Sequence, residues 1–262
     1  MNYTGSKYKL LEQILPEFDY DKEYFIDLFA GGGSVYLNVV DKYNKIIVND
    51  IINDLIGIHS GLIKDDDIIL ETKLICPKKG DKEGFLELRE DYNLNPTPSK
   101  LWALMLSSTN NMMRFNKKFK YNQTYGNRGW NPNTDKKVSF LIEHIRKYSD
   151  KIRFKSLSFK DFDIKSNNCM VYIDPPYSNT EAGYNSFWNK NDDNLLYEYI
   201  LNLNSLGCSF MVSGSLTHNG KRCSLLDNLI SYGFYYKELD FNYDKVSRNG
   251  KKEVNEIIIK NY

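Results

Sequence analysis

Asp174-Pro175-Pro176-Tyr177 follows the apolar run Met170 to Ile173, so a carboxylate, a rigid carbonyl and an aromatic face fall within four residues. Pro175 and Pro176 cannot donate ladder hydrogen bonds, so a strand must stop there. Pro175 also biases Asp174 away from helical geometry. The Asp174 carboxylate and the Pro175 carbonyl can both accept from the exocyclic NH₂ of a nucleobase. Such bonds favour a tetrahedral nitrogen whose lone pair leaves the ring and can meet an electrophilic methyl group. That is positioning plus electrostatics rather than covalent catalysis. Pro176 stiffens the loop, and Tyr177 offers a flat face for the base. A base inside a duplex must first be flipped out. The plainer use of the same residues is a strand end and a Pro-Pro turn, with Asp174 capping a loop.

A second constellation lies upstream. Gly31, Gly32 and Gly33 sit in "FIDLFAGGGS", residues 25–34. A dinucleotide site needs G-x-G-x-x-G, and an ATP site needs a following Walker lysine; neither is present. A short glycine turn before a helix suits a cofactor without a pyrophosphate, although a plain tight turn has the same composition. Asp50 ends the next apolar run, about 20 positions on, where an acid hydrogen-bonds ribose hydroxyls. A carboxylate can accept from both hydroxyls at once; capping of the next helix is its alternative use. Together these features point to a nucleoside cofactor without phosphates, with S-adenosylmethionine the candidate.

Such residues need a sheet whose carboxyl edge gathers them. "YFIDLFA" predicts a buried strand, "GGGSVYLNVV" a glycine turn feeding a helix, and "NKIIVND" a second strand. "IINDLIGIHSGLI" has helical period, which completes a βαβ start. Residues 7–14 predict a short helix with Ser6 as cap. From about residue 65 to 150 the periods are helical, with helices expected in "DKEGFLELREDYN", "PSKLWALMLSSTNNMM" and "KKVSFLIEHIRKYSDKI". Between the last two lies a polar, basic, aromatic strip in which "NKK" or "YGNRG" could turn a hairpin. Strands resume with "IRFKSLSF", "CMVYID" and "CSFMVSG". "HNGKRCSLLDNLISYG" predicts a helix ending near Gly233, and "FYYKELDF" and "VNEIIIKNY" a terminal antiparallel pair.

Length and composition narrow the class. The chain has 262 residues, 41% hydrophobic, with a net charge of +1. That allows one large domain carrying an insertion, and any nucleic-acid surface must be a local patch. Cys76, Cys169, Cys208 and Cys223 form no C-x-x-C, which predicts reduced thiols and a cytoplasmic setting. His59, His144 and His218 are isolated, so no metal site is expected and each reads as a core or surface histidine. The first residues carry early charges and no long apolar run, and no stretch reaches the ~20 apolar residues of a membrane span. A monomer is expected.

The order of these motifs resembles that of a Dam-type DNA adenine methyltransferase, most of all the phage branch, over nearly the whole chain. "YTGSKYKLLEQI", "FIDLFAGGGSVYLNV", "VNDIINDLI", "LSFKDF", "VYIDPPY" and "YNSFW" carry the catalytic half of the likeness. "EGFLELREDYN" and "NNMMRFNKKFKYNQTYGNR" carry the recognition half. The resemblance implies a Rossmann-like S-adenosylmethionine-dependent methyltransferase sheet, with a helical insertion and a β-hairpin for DNA recognition. Residues 1–56 and 151–262 would form the catalytic domain and 57–150 the inserted one.

The roles it implies are specific. Tyr3 and Lys7 would line the cofactor or catalytic pocket. Asp27, with Phe29, Ala30, Gly31, Gly33 and Ser34, would belong to the cofactor-binding set. Asp50 would bind ribose, and Ser158 and Phe159, with Asp161 near, the adenine of the cofactor. Asp174, Pro175, Pro176 and Tyr177 would act on the target adenine, with Lys7 beside them. Tyr184 and Phe187 would support the flipped base or fill its gap. From Met112 to Trp130 there are five basic residues and no acids. Such a strip suits phosphates and base edges, though a solvated basic loop has the same composition. Asn110, Met112, Arg114, Lys118, Lys120, Tyr125 and Arg128 would contact double-stranded DNA at GATC. Thr109 and Thr124 depart from the phage pattern and leave a relaxed or altered site open. The other readings are an RNA or cytosine amino-group methyltransferase and a catalytically silent DNA-binding module.

Overall fold

The structure, a computed structural model, describes residues 6–176, 188–240 and 254–262. Among these, β1 (Tyr24–Asp27), β2 (Lys45–Asn49), β3 (Ile152–Lys155), β4 (Cys169–Ile173), β5 (Ser209–His218), β6 (Lys221–Arg222), β7 (Tyr235–Leu239) and β8 (Val254–Lys260) form one sheet. Its order is β3-β2-β1-β4-β5-β8-β7, with β6 paired to β5. The strands from β3 to β5 in that order are parallel, whereas β8 runs antiparallel to both β5 and β7. The order reverses direction between β1 and β4. Ligands bind outside the carboxyl ends at such a point in a doubly wound sheet. This is the Rossmann-like methyltransferase architecture expected from the motifs.

Why the strands show no clean alternation is now visible. Met170 and Tyr172 of β4 enter one core, and Val171 and Ile173 enter the other. Both faces are covered, so every position is apolar. The first face meets α1 (Leu11–Ile14), α2 (Tyr36–Val39) and Ile145 at the end of α7 (Pro132–Ile145). The second meets α8 (Lys190–Ser205) and α9 (Ser224–Tyr232) through Leu196, Ile200, Leu203, Leu226 and Leu229.

A third core lies between residues 52 and 142. It is centred on α6 (Pro98–Ser107), which is buried from Leu101 to Met105 and packs against α3 (Asn53–Lys64), α4 (Asp67–Ile75) and α5 (Lys82–Leu94). Ile56 of α3 meanwhile packs in the first sheet core, so α3 joins the two bodies.

Several boundaries differ from expectation, each for a local reason. β1 ends at Asp27 rather than Ala30; the Leu28 N–H still bonds the Tyr172 carbonyl of β4 at 3.0 Å, and the chain then turns at Gly31 and Gly33, with φ of 50° and 76°. The helix expected over residues 98–113 stops at Ser107, since Ser108 is extended and Asn110 and Asn111 have φ of 57° and 54°. The basic strip is no continuous ladder; the bridges Ser108–Tyr125 and Phe115–Tyr121 are isolated, and its turn lies at "NKK" rather than "YGNRG". α7 starts at Pro132, earlier than expected, because the Asn131 side chain caps it. The helix expected from His218 begins only at Ser224. Asn219 and Gly220, with φ of 49° and 75°, turn β5 into β6, as an Asn-Gly pair does in a two-residue hairpin. α8 was not foreseen.

Candidate functional site

The carboxyl ends of β1, β2 and β4 surround one cavity of about 240 Å³. Lys7, Asp50, Ser158, Phe159 and Asp174 to Pro176 line it, as do Phe29 to Gly32 and Ser34. Most of the expected cofactor and catalytic residues within the described chain are therefore brought together. Tyr3, Tyr177, Tyr184 and Phe187 lie outside the described residues.

Asp174 is held from the N-terminal segment. Ser6 accepts from the Tyr8 N–H and starts a 3₁₀ turn, which buries Lys7. The Lys7 ammonium then meets Asp174 Oδ1 at 2.7 Å. The carboxylate is thereby oriented and its charge balanced. It has about four lone-pair directions in all, enough to accept from a substrate NH₂ as well.

Asp50 is fixed by the backbone around it. Its Oδ2 accepts from the Gly31 N–H at 2.9 Å and its Oδ1 from the Ile52 N–H at 3.0 Å. Burial pushes this carboxyl above its ordinary range, and those N–H groups pull it partly back. Asn49, unnoticed in the sequence, staples the sheet edge. Its side-chain NH₂ donates to the Leu28 and Leu157 carbonyls at 3.0 Å each, and its Oδ1 accepts from the Leu157 N–H at 3.0 Å. Ile51 is 61% exposed on the cavity wall next to Asp50. Phe159, also in the lining, packs with Phe29 and Trp188 at centroid distances of 5.8 and 5.5 Å.

Three expected cofactor residues are not on the wall. Asp27 is 1% exposed beneath the turn, where its Oδ2 accepts from the Tyr36 N–H at 3.3 Å. Burial pushes its carboxyl well above the usual range, so it serves as scaffold. Gly33 shapes the turn from behind, its N–H donating to the Ala30 carbonyl at 2.8 Å. Asp161 is exposed away from the cavity; Lys160 and Asp192 line that place, paired at 2.7 Å.

His59 is the core histidine of the two alternatives, and it supports the glycine turn. Its Nε2–H donates to the Gly31 carbonyl at 2.8 Å, while Nδ1 accepts from the Tyr36 hydroxyl at 2.9 Å, the tautomer following from that network. Burial lowers its pKa to about 4 from an ordinary 6.5. The neutral ring therefore stabilises the fold fully above 6.5, and that contribution is lost as pH falls toward 4. Asp27 and Asp50 act in the opposite direction, so the difference between the native protein and His59→Asn isolates the ring. Urea unfolding should show that stability gap shrinking by about 2–3 kcal/mol between pH 7 and 4.5. A gap independent of pH would refute the assignment.

The basic strip divides into surface and scaffold. Asn110, Lys118 and Arg128 are exposed, and so is Lys120, whose ammonium donates to the Asn93 carbonyl. Among the described residues, Arg128 makes only long hydrogen bonds, 3.5 Å to the Gly126 carbonyl and to Asn111 Oδ1. Met112 is half-buried, as is Arg114, which is braced by Asn122 at 3.0 and 2.9 Å. Tyr125 is half-buried and tied to a neighbouring loop. Its hydroxyl accepts from the Gly80 N–H at 2.8 Å and donates to the Lys78 carbonyl at 2.9 Å. The two departures from the phage pattern touch each other, with Thr109 Oγ1 and Thr124 Oγ1 3.1 Å apart.

Comparison with known proteins gives a consistent picture. The chain is 33% identical over 280 residues to the modification methylase StsI of Streptococcus sanguinis, covering 100% of this chain and 42% of that protein. It is 32% identical over 279 residues to the type II methyltransferase M.FokI of Planomicrobium okeanokoites, with coverage of 100% and 42%. A DNA adenine methylase of Salmonella typhi is 27% identical over 197 residues, 71% of this chain and 66% of that one. The chain thus spans about two fifths of the length of the two modification methylases. Residues 3–246, which take in the glycine turn, Asp50, the helical insertion and Asp174, match one family throughout, and the chain belongs to it: the D12 class of N6 adenine-specific DNA methyltransferases.

Proposed function

We propose that the protein transfers a methyl group from S-adenosylmethionine to the exocyclic amino group of adenine in double-stranded DNA. The observation that carries this reading is the single cavity walled by both Asp50 and the Lys7–Asp174 pair. The residues fit the cofactor. Asp50 offers carboxylate oxygens for ribose, Ile51 and Phe159 offer apolar walls for a flat base, and the Phe29 to Ser34 turn suits the methionine part. When bound, the cofactor supplies an electrophilic methyl group. Asp174 and the Pro175 carbonyl accept from the adenine NH₂ and orient its lone pair, and Lys7 keeps the carboxylate aimed. Flipping of the base into this cavity is part of the proposal.

We assign residues 57–150 to target recognition, supported by their separate core and exposed basic strip. Arg128 is the base reader of choice, because a loosely held guanidinium can turn to guanine. GATC is the proposed target, on the resemblance of the motifs. Among the described residues, no helix is long and apolar enough to cross a membrane.

The test is transfer of labelled methyl to a GATC duplex, to its GTTC counterpart, and to mixed-sequence DNA free of adenine methylation. Label in the GATC duplex but not in the GTTC duplex is expected. Equal label in both duplexes, or label in the mixed DNA alone, would keep the chemistry and remove the assigned sequence. No label in any of the three would overturn the function.

A further inference from the structure

The basic strip reaches the ligand cavity. Phe115 and Phe119 line it together with Asp50 and Asp174, although both belong to the insertion. The reason is the turn at residues 116–120. The Asn116 N–H donates to the Lys120 carbonyl and the Phe119 N–H to the Asn116 carbonyl, both at 2.9 Å. Asn116 Oδ1 accepts from the Lys118 and Lys120 N–H groups at 2.9 and 3.1 Å. These bonds fix Phe119 at φ 59°, a left-handed conformation that suits glycine or asparagine and strains a bulky aromatic residue. The strained ring is 50% exposed. It stacks on Phe115 at 5.4 Å and 28°, and Phe115 is buried and set edge-on against Tyr121 at 5.6 Å. A strained residue on a firm platform at the wall of a cavity has the marks of a ligand clamp.

We propose that Phe119 is a binding residue of this cavity, stacking its ring on a purine. The inference rests on the methyltransferase reading, which offers two purines, the adenine of the cofactor and the flipped adenine of the target. Phe119→Gly removes the ring and relaxes the turn, and Phe119→Tyr keeps a ring in place. Binding of S-adenosylhomocysteine is measured by calorimetry without DNA. Capture of the target base is measured by the fluorescence of 2-aminopurine, placed at the methylated position of a mapped duplex. Phe119→Gly should melt no lower than the native protein, yet bind about 5- to 100-fold more weakly in one of the two assays. Phe119→Tyr should restore that binding. Loss in the calorimetric assay assigns the ring to the cofactor, and loss in the fluorescence assay assigns it to the target base. Binding within twofold of native in both assays would overturn the inference. So would equal loss in the tyrosine variant, or a lowered melting temperature in the glycine variant, since either marks a packing role. A native protein that binds no S-adenosylhomocysteine is a different result, because it would sink the methyltransferase reading itself.

Discussion

Asp174→Ala is expected to lower methyl transfer by about 10²- to 10³-fold while S-adenosylhomocysteine binding stays within a few-fold of native. The side chain stands at the end of β4, held there by Pro175 and by the Lys7 ammonium at 2.7 Å. Its carboxylate would accept from the substrate NH₂ most strongly as the nitrogen becomes tetrahedral, so its loss falls on the transition state. There is also a structural cost to separate from the chemical one. Lys7 is 6% exposed in its side chain and Asp174 18%, so alanine takes a counter-charge at 2.7 Å away from a mostly buried cation. Breaking a fully buried pair costs about 3–5 kcal/mol, and partial exposure reduces this to roughly 1–3 kcal/mol. The companion variant Lys7→Met/Asp174→Ala removes both charges and should recover most of that stability without recovering turnover. Single-turnover transfer at saturating cofactor is the deciding measurement. Native rates in Asp174→Ala would remove the carboxylate from the mechanism.

The second large effect is expected from one methyl group on the far side of the turn. Gly33 has φ +76°, and a Cβ there would lie 2.5 Å from Tyr36 Cε1 and 2.8 Å from His59 Cε1. Neither ring can step aside. Tyr36 is fully buried, and His59 is bonded to both the Tyr36 hydroxyl and the Gly31 carbonyl. Relief must come from the turn, which also presents the Gly31 N–H to Asp50. The left-handed backbone costs a side chain roughly 1–2 kcal/mol and overpacking roughly 1–3 kcal/mol. Gly33→Ala should therefore lose about 2–5 kcal/mol of stability and at least about tenfold in S-adenosylhomocysteine affinity. Urea unfolding and calorimetry read the two effects. A change under about 0.5 kcal/mol with native affinity would show that the turn yields.

Some of this was legible beforehand because the chemistry is local. The β4 run stops at Pro175 for reasons internal to proline, and Asp50 follows a strand closed by polar residues. Asp27, Asn49 and His59 were not legible as scaffold, since their roles depend on neighbours between 9 and 108 positions away. Nothing local marks an aspartate as buried beneath a turn rather than facing a ligand. Two omissions were avoidable. Leu196, Ile200 and Leu203 repeat on one face of α8 behind the capping box of Asn189 and Asp192. Asn219-Gly220 is a hairpin signal that the helical pattern after it obscured. Phe119 shows the opposite limit. In the sequence it is one aromatic of the basic strip, and only the turn geometry brings it to the cavity.

The order of the strands has a consequence for synthesis on the ribosome. β8, the last of the eight to be made, lies between β5 and β7 rather than outside them. Until it emerges, the ten residues of β5 have no strand on that side among the described residues, since β6 pairs with Thr217 and His218 from the opposite edge, and β7 has no strand to join. The nascent chain thus carries an open sheet edge next to Phe210 and Val212 until Ile257 to Ile259 close it. The cavity edge formed by β1, β2 and β4 needs none of those residues, so it can assemble while the chain is still being translated.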